Sequence, residues 1–436
     1  MIAKDNKKII WSWALYDFAN SAFTTLVVTF IYGTYFTKSI APDELTGTNW
    51  WSYSISICAV LVAVISPFIG AIADAFAIRK RIMLVSTLVC VLATFLLFFP
   101  TSNMFLAIAL FTVANVAFEL GTVFCNAYLP EIASPKTIGK VSGFGWGLGY
   151  LGGLLALIIA LFFLVDVEIP PFGLDKVTGE HIRATNILVS LWFLIFSIPF
   201  FIHISESESK SKKGSFSEMT KKAYRNLFNT FKEIKKYKKV RNFLIARLVY
   251  NDALITIFAL GGIYASVTIG FSFEEILFLG IVLNVLAGLG AFLFGLVDDK
   301  WTSKRIIKMS IIFLMIACVF GVLAPELPGI SELIFGGDSI PDWFNSKNIF
   351  WFSAVLIGFF AGPNQSSSRA LMSKITPDEK KNEFFGFYAF SGKATAFLGP
   401  LLFACFSEYF DSQQAGLFVV MLMFYLGYLL FKRIVT

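Results

Sequence analysis

Six ionisable side chains interrupt otherwise apolar stretches of this chain: Asp17, Glu119, Arg247, Asp252, Arg369 and Lys393. A charge held in hydrocarbon is costly, so each is expected to have a partner or a task. Three are acids and three are bases, so pairing among them is open throughout. A carboxyl group in a poorly solvated site can load and release a proton near neutral pH. Asp17, Asp252 and Glu119 are therefore candidates for proton coupling. Plainer readings stand beside that one. Asp17 and Asp252 could bond to neighbouring hydroxyls or pair with Arg247 or Lys393, and Glu119, nearer the cytoplasmic end of its run, could be half of a structural ion pair. Lys393, mid-run, could meet a carboxylate on a small-molecule substrate or neutralise Asp252. Arg369 lies near the end of its run, where a gating pair fits. Tyr16, Asn20 and Asn251 neighbour the acids and are candidate substrate contacts. Asn364 and Gln365 follow Gly362-Pro363. They could bond a substrate or satisfy the carbonyl that the proline frees.

The elements that must hold these residues are twelve apolar runs, roughly 10–37, 50–75, 82–100, 103–130, 139–164, 185–203, 242–268, 274–298, 306–324, 349–373, 384–406 and 414–432. About twenty apolar residues cross about 30 Å of hydrocarbon as a helix. The chain is 57% hydrophobic and 15% charged, with a mean hydropathy of +0.73. A soluble surface needs about a quarter charged residues, so the expected class is an all-α membrane protein. A membrane barrel would instead show alternating segments of about ten residues. The five Cys lie inside apolar runs with no CxxC pair, which indicates neither a disulfide framework nor a metal site. The first run is full length and is read as a span rather than a cleaved signal.

The net charge of +7 does not point to nucleic acid, because the basic residues are sorted by loop. Most of the 36 Lys and Arg fall before run 1, in residues 79–81, 136–140, 210–241, 300–308 and 374–381, and at 432–433. The other loop side has Lys38, Lys176, Arg183 and Lys347. That asymmetry predicts both termini in the cytoplasm and a multi-pass protein of the cytoplasmic (inner) membrane. Trp11, Trp13, Trp50, Trp51, Trp301, Trp343 and Trp351 lie near run ends and read as interfacial anchors. Residues 204–241 form the polar segment in mid-chain. Its stretch 218–239 could be a basic amphipathic helix on anionic lipid, or the segment could be a solvated tether.

The two halves echo each other. Gly70, Asp74, Arg79 and Lys80 after run 2 recur, with the same spacing and signs, as Gly295, Asp299, Lys304 and Arg305 after run 8. A weaker echo links Tyr16-Asp17 with Tyr250-Asn251-Asp252. The expected organisation is a six-helix bundle over 1–203, a basic cytoplasmic linker over 204–241, and a second, pseudo-symmetric six-helix bundle over 242–436. Such repeats place a substrate site near the midplane and let one half rock against the other. The repeated loop reads as a cytoplasmic gate, with Arg369 assisting. A small residue lets helices approach, and the acid pairs with a base or sits at a helix N-terminus.

The repeated loop resembles the signature loop of the major facilitator superfamily. Trp13 to Phe23, Asn126 to Ala133, Ser142 to Gly153, Tyr250-Asn251-Asp252 and Gly261-Gly262-Ile263-Tyr264 resemble the bacterial branch similar to the fungal autophagy-related vacuolar amino-acid effluxers. The resemblance covers both halves. It implies the twelve-helix major facilitator fold and alternating access, with export of amino acids, proton-coupled, as the expectation and uniport of another metabolite as the alternative. There are departures. Run 4 carries Glu119 where the superfamily often has a base, and Tyr150 stands where an antiporter signature would have proline. No ATP-binding loop exists, since Gly392-Lys393 is followed by Ala394 inside a run. His181 and His203 complete no triad or metal site. An enzyme is therefore not expected, nor any cofactor, and a monomer suffices. A non-transporting receptor or scaffold is the reading from a different class.

Overall fold

The computed structural model describes residues 4–205, 236–330, 341 and 343–435. Twelve membrane spans follow one another. α1 (Lys7–Ala22) is prolonged by π-helical stretches and one α-helical turn to Ile40, and α2 is Glu44–Phe76. α3 (Arg79–Leu96), α4 (Met104–Ile132), α5 (Ile138–Ala160) and α6 (Glu180–His203) complete the first half. α7 (Lys238–Val267), α8 (Phe273–Trp301), α9 (Ser303–Leu323), α10 (Ser346–Ile375), α11 (Lys381–Lys393, then Leu398–Tyr409) and α12 (Gln413–Val435) form the second. Ten of these spans are long and apolar enough alone to cross a bilayer. α3 begins on Arg79-Lys80-Arg81, and α10 carries the polar run Asn364 to Arg369, so these two depend on their neighbours to cross.

Each half has its own apolar core. One gathers Phe23, Tyr32, Phe111, Phe124, Phe193 and Phe200. The other gathers Phe243, Tyr250, Tyr264, Phe350, Phe384 and Phe424. Outward faces remain apolar, for example Val85, Leu92, Ile202 and Phe292. That pattern suits a bundle whose solvent is lipid.

Among the described residues three spans depart from regular helix, and one of them, α5, runs on as a π-helical stretch over Leu161–Val165. In α1 the continuation Phe23–Phe30 is π-helical. There the Thr29 hydroxyl donates five residues back to Thr24 O, and Thr24 donates to Ser21 O. Side-chain bonds of this kind open the regular ladder. Run 11, read as one helix over 384–406, breaks at residues 394–397. Pro400 stands in the first turn of the second segment, where it has no N–H to continue the ladder. The tryptophan reading also needs correction. Trp13 is fully buried beneath Arg369, and Trp51 is buried against Phe111, so neither is an interfacial anchor. Most of the stretch 218–239 lies outside the described residues.

Candidate functional site

Two pairs of intramembrane charges meet where the two halves touch. Arg369 of α10 crosses into the first half. Its Nη1 lies 2.7 Å from Asp17 Oδ2 of α1 and donates to Asn126 Oδ1 of α4 at 3.0 Å. Nε donates to Ser142 Oγ at 3.0 Å and Nη2 to Ser142 O at 2.8 Å, both on α5. Trp13 underlies the guanidinium at 4.6 Å. The fork geometry of arginine lets one side chain bind three helices of the opposite half. Ser142 returns the contact by donating to Ser366 O of α10 at 2.7 Å.

A second pair also crosses the halves. Lys393 Nζ of α11 lies 2.7 Å from Glu119 Oε1 of α4. Glu119 sits near the middle of α4 rather than toward its end. Lys393 therefore neutralises Glu119 and not Asp252. This pair is less buried, at 33% and 18% side-chain exposure, than Arg369 and Asp17 at 3% and 11%.

Two latches close the face that carries the basic loops, and they are alike. Asp74 at the end of α2 accepts from Asn382 Nδ2 at 2.5 Å and from the Glu383 N–H at 2.9 Å, in the first turn of α11. Asp299 at the end of α8 accepts from the Gly139 and Lys140 N–H groups, each at 2.9 Å, in the first turn of α5. Each acid thus caps a helix N-terminus of the other half, where unpaired N–H groups and the helix dipole favour an anion. The repeated glycines make room for this. A Cβ on Gly70 would lie 2.5 Å from Asn382 O, and one on Gly295 would lie 2.7 Å from Gly143 Cα.

Behind each latch the charges change places. In the first half Arg79 Nη2 meets Glu131 Oε2 of α4 at 2.5 Å and stacks 3.6 Å over Tyr128. In the second half the acid is on α8. Asp298 is fully buried and accepts from Lys374 of α10 at 3.0 Å, Ser303 at 2.6 Å and Ser367 at 2.5 Å. Lys381 adds a looser contact across the halves, 3.8 Å from Glu131.

Residues 39–436 match the family model described as vacuole effluxer Atg22 like. The chain belongs to that family. It is 26% identical to the uncharacterized MFS-type transporter YxiO of Bacillus subtilis, over 95% of this chain and 92% of that protein. It is 23% identical to autophagy-related protein 22 of Saccharomyces cerevisiae over 64% of this chain. That match spans about half of the yeast protein's length, 53%. Among solved structures, the human organic anion transporter MFSD10 (TETRAN) superposes with a TM-score of 0.71 at 12% identity, covering 97% of this chain and 98% of that one. The fold is the major facilitator fold of two six-helix bundles, and the family is one of transporters rather than enzymes.

Within this Atg22-like chain the remaining candidates scatter. Tyr16 points into its own half, bonding Thr87 at 2.8 Å and packing on Phe193 and Phe200. Asn20 and Asn364 are buried, the latter with Nδ2 unpartnered. Asn251 Nδ2 reaches Gly392 O at 3.4 Å. Gln365 is partly buried beside Ser366. Arg305 is exposed on the basic face. Lys80 and Lys304 follow the latch acids but do not themselves supply the helix caps. Arg247 donates to Tyr388 O and Ser391 Oγ and stacks on Tyr388 instead of pairing with Asp252. Sequence reasoning missed Asp298, Lys374 and Ser142. The Asp298-Asp299 doublet was the available signal for the first. A groove of about 560 Å³ between α2, α3 and α4 is walled by Leu61, Val85, Val89 and Val113 and faces lipid, away from the contact between halves.

Proposed function

We propose that this protein is a secondary carrier that moves a small solute by alternating access, and that Arg369 locks the two halves together in the conformation described. The observation that carries this is a buried arginine of one half ion-paired and hydrogen-bonded to three helices of the other. A carrier whose halves rock against each other needs contacts between them that can be exchanged, and this cluster lies on that plane. The basic loops support a cytoplasmic assignment for the latched face, with both termini there, in the cytoplasmic membrane. The conformation described is then closed to the cytoplasm. The greater exposure of Glu119 and Lys393 than of Asp17 and Arg369 fits access from the other side. The bundle boundaries follow the notional linker 204–241, and the unit of transport is the monomer.

The family's description as vacuole effluxer Atg22 like supports efflux, and amino acids are the substrates we propose, with the proton as coupling ion. Counterflow in proteoliposomes with labelled amino acids, with and without a pH gradient, tests this. Accumulation that follows the gradient is expected. Exchange indifferent to the gradient would leave a uniporter. No flux for any amino acid would remove the substrate assignment and favour a receptor.

A further inference from the structure

The three intramembrane acids are not equivalent. Asp17 is neutralised by Arg369 and Glu119 by Lys393. Asp252 of α7 is 1% exposed, and no Lys or Arg nitrogen lies within 4.0 Å of it among the described residues. Its Oδ1 has no hydrogen-bond partner. The Thr395 hydroxyl stands beside the carboxyl group, within reach of a hydrogen bond that would also serve an ionised Asp252, but its buried Oγ1 meets no partner at regular hydrogen-bond geometry. The nearest base, Arg247, is engaged by Tyr388 O, Ser391 Oγ and the Tyr388 ring. Asn251 turns to Gly392 O, and Thr256 donates to the backbone carbonyl of Asp252, not to its side chain. An ionised carboxylate so placed, with an oxygen unmatched, is among the costliest arrangements a protein can hold. A proton on Oδ1 removes the charge and supplies the donor that Thr395 Oγ1 lacks.

We propose that Asp252 is a proton-binding site: in this conformation its carboxyl is neutral, and its O–H donates to Thr395. The position gives the site leverage. Thr395 lies in the break of α11, between a first segment latched by Asp74 and a second pressed on α7 through Gly399. A Cβ on Gly399 would lie 3.0 Å from Asp252 O. Releasing the proton to water turns Oδ1 from donor to acceptor, and the Thr395 hydroxyl must rotate to donate. The hydrogen bond across the break is thereby remade as the latched segment is freed to swing. The use of this proton in coupling rests on the carrier reading above, but its presence on Asp252 does not.

Infrared difference spectroscopy of the purified full-length protein in liposomes reads that presence directly. At neutral pH the wild type is expected to show a carboxylic C=O band that is lost in Asp252→Asn and retained in Asp17→Asn and Glu119→Gln. Thr395→Val, which keeps the acid, is expected to shift the band, because the acceptor is gone. A wild-type spectrum without a band attributable to Asp252 overturns the proposal. So does a band that Na+ abolishes at constant pH, which would make the ligand a metal cation. A band unmoved by Thr395→Val overturns the assigned partner. If the band behaves as expected while no solute is transported, the proton site stands and the carrier reading fails. If transport is seen and Asp252→Asn still follows the pH gradient, the site is structural.

Discussion

At the scale of single residues, the pairs that join the halves differ in what their loss should do. Removing one member of a buried ion pair strands the other in a poor solvent, at a cost of about 3–5 kcal/mol. Arg369→Ala and Asp17→Asn are each expected to destabilise the latched conformation by that order. Arg369→Ala should do more, since it also gives up the bonds to Asn126 and Ser142. Distances between spin labels on the latched face check this. The double variant should fall short of the sum of the singles, because both remove one interaction. Glu119 and Lys393 are more exposed, so exchanging them as Glu119→Lys with Lys393→Glu should restore much of what either reversal alone removes. Equal flux deficits in the singles and the exchange variant would exclude a direct pair.

At the scale of helices, the latch is a cap and a close approach. Losing a capping carboxylate costs about 0.5–2 kcal/mol. Asp74→Ala and Asp299→Ala should each move the population toward the open latched face by that order, and together their effects should add, since they cap different helices. Modification rates of cysteines introduced into α5 and α11 report the shift. Gly295→Leu should act more strongly, because its side chain would need the space that Gly143 occupies. On the opposite face Lys347 at the start of α10 bonds Glu275 at the start of α8, at 2.8 Å. Glu275 precedes the membrane-spanning stretch of α8, Phe278–Trp301, and there the Lys347 hydrogen bond holds its carboxyl below its ordinary value of 4.5, with the Ser272 N–H helping. The folded value is the depressed one, so this contact stabilises above the ordinary range and is lost as acid protonates Glu275. Melting temperature should therefore drop less in acid for Glu275→Gln than for the wild type.

At the scale of the whole molecule, the halves share one plan with unlike charges. Each places an acid after its second span, yet the supporting pair is Arg79–Glu131 in one half and Lys374–Asp298 in the other. Each also opens with a tyrosine and an acid, but only Asp17 has a base supplied by its counterpart. On the proposed reading this asymmetry makes Asp17 part of the lock and Asp252 the titrating group. It predicts that Asp17→Asn alters the conformational balance at every pH, whereas Asp252→Asn removes its pH dependence. Orientation is tested separately. A cysteine at Lys136 should react with an impermeant reagent only after the membrane is opened, and one at Lys176 should react in intact cells.

The number of spans, their order and the repeated loop were legible in the sequence because each is written locally. A run of apolar residues must cross the bilayer, and a glycine, an acid and two bases recur at fixed spacing. The capping role of Asp74 and Asp299 was also within reach, as one of two options open to an acid beside a helix end. Partnership was not. Arg369 and Asp17 lie on different halves, and nothing in their neighbours says that they meet. Lys393 was expected to meet Asp252 or Asp17 if it paired, and it meets Glu119 instead, because the packing of α11 on α4 brings that acid to it. The break at 394–397 had a proline as its sign, but only the packing of α7 against it sets Asp252 beside Thr395. The bilayer specifies spans through hydrophobicity alone, while pairing depends on helix rotation and contact between halves, which are decided by the whole fold.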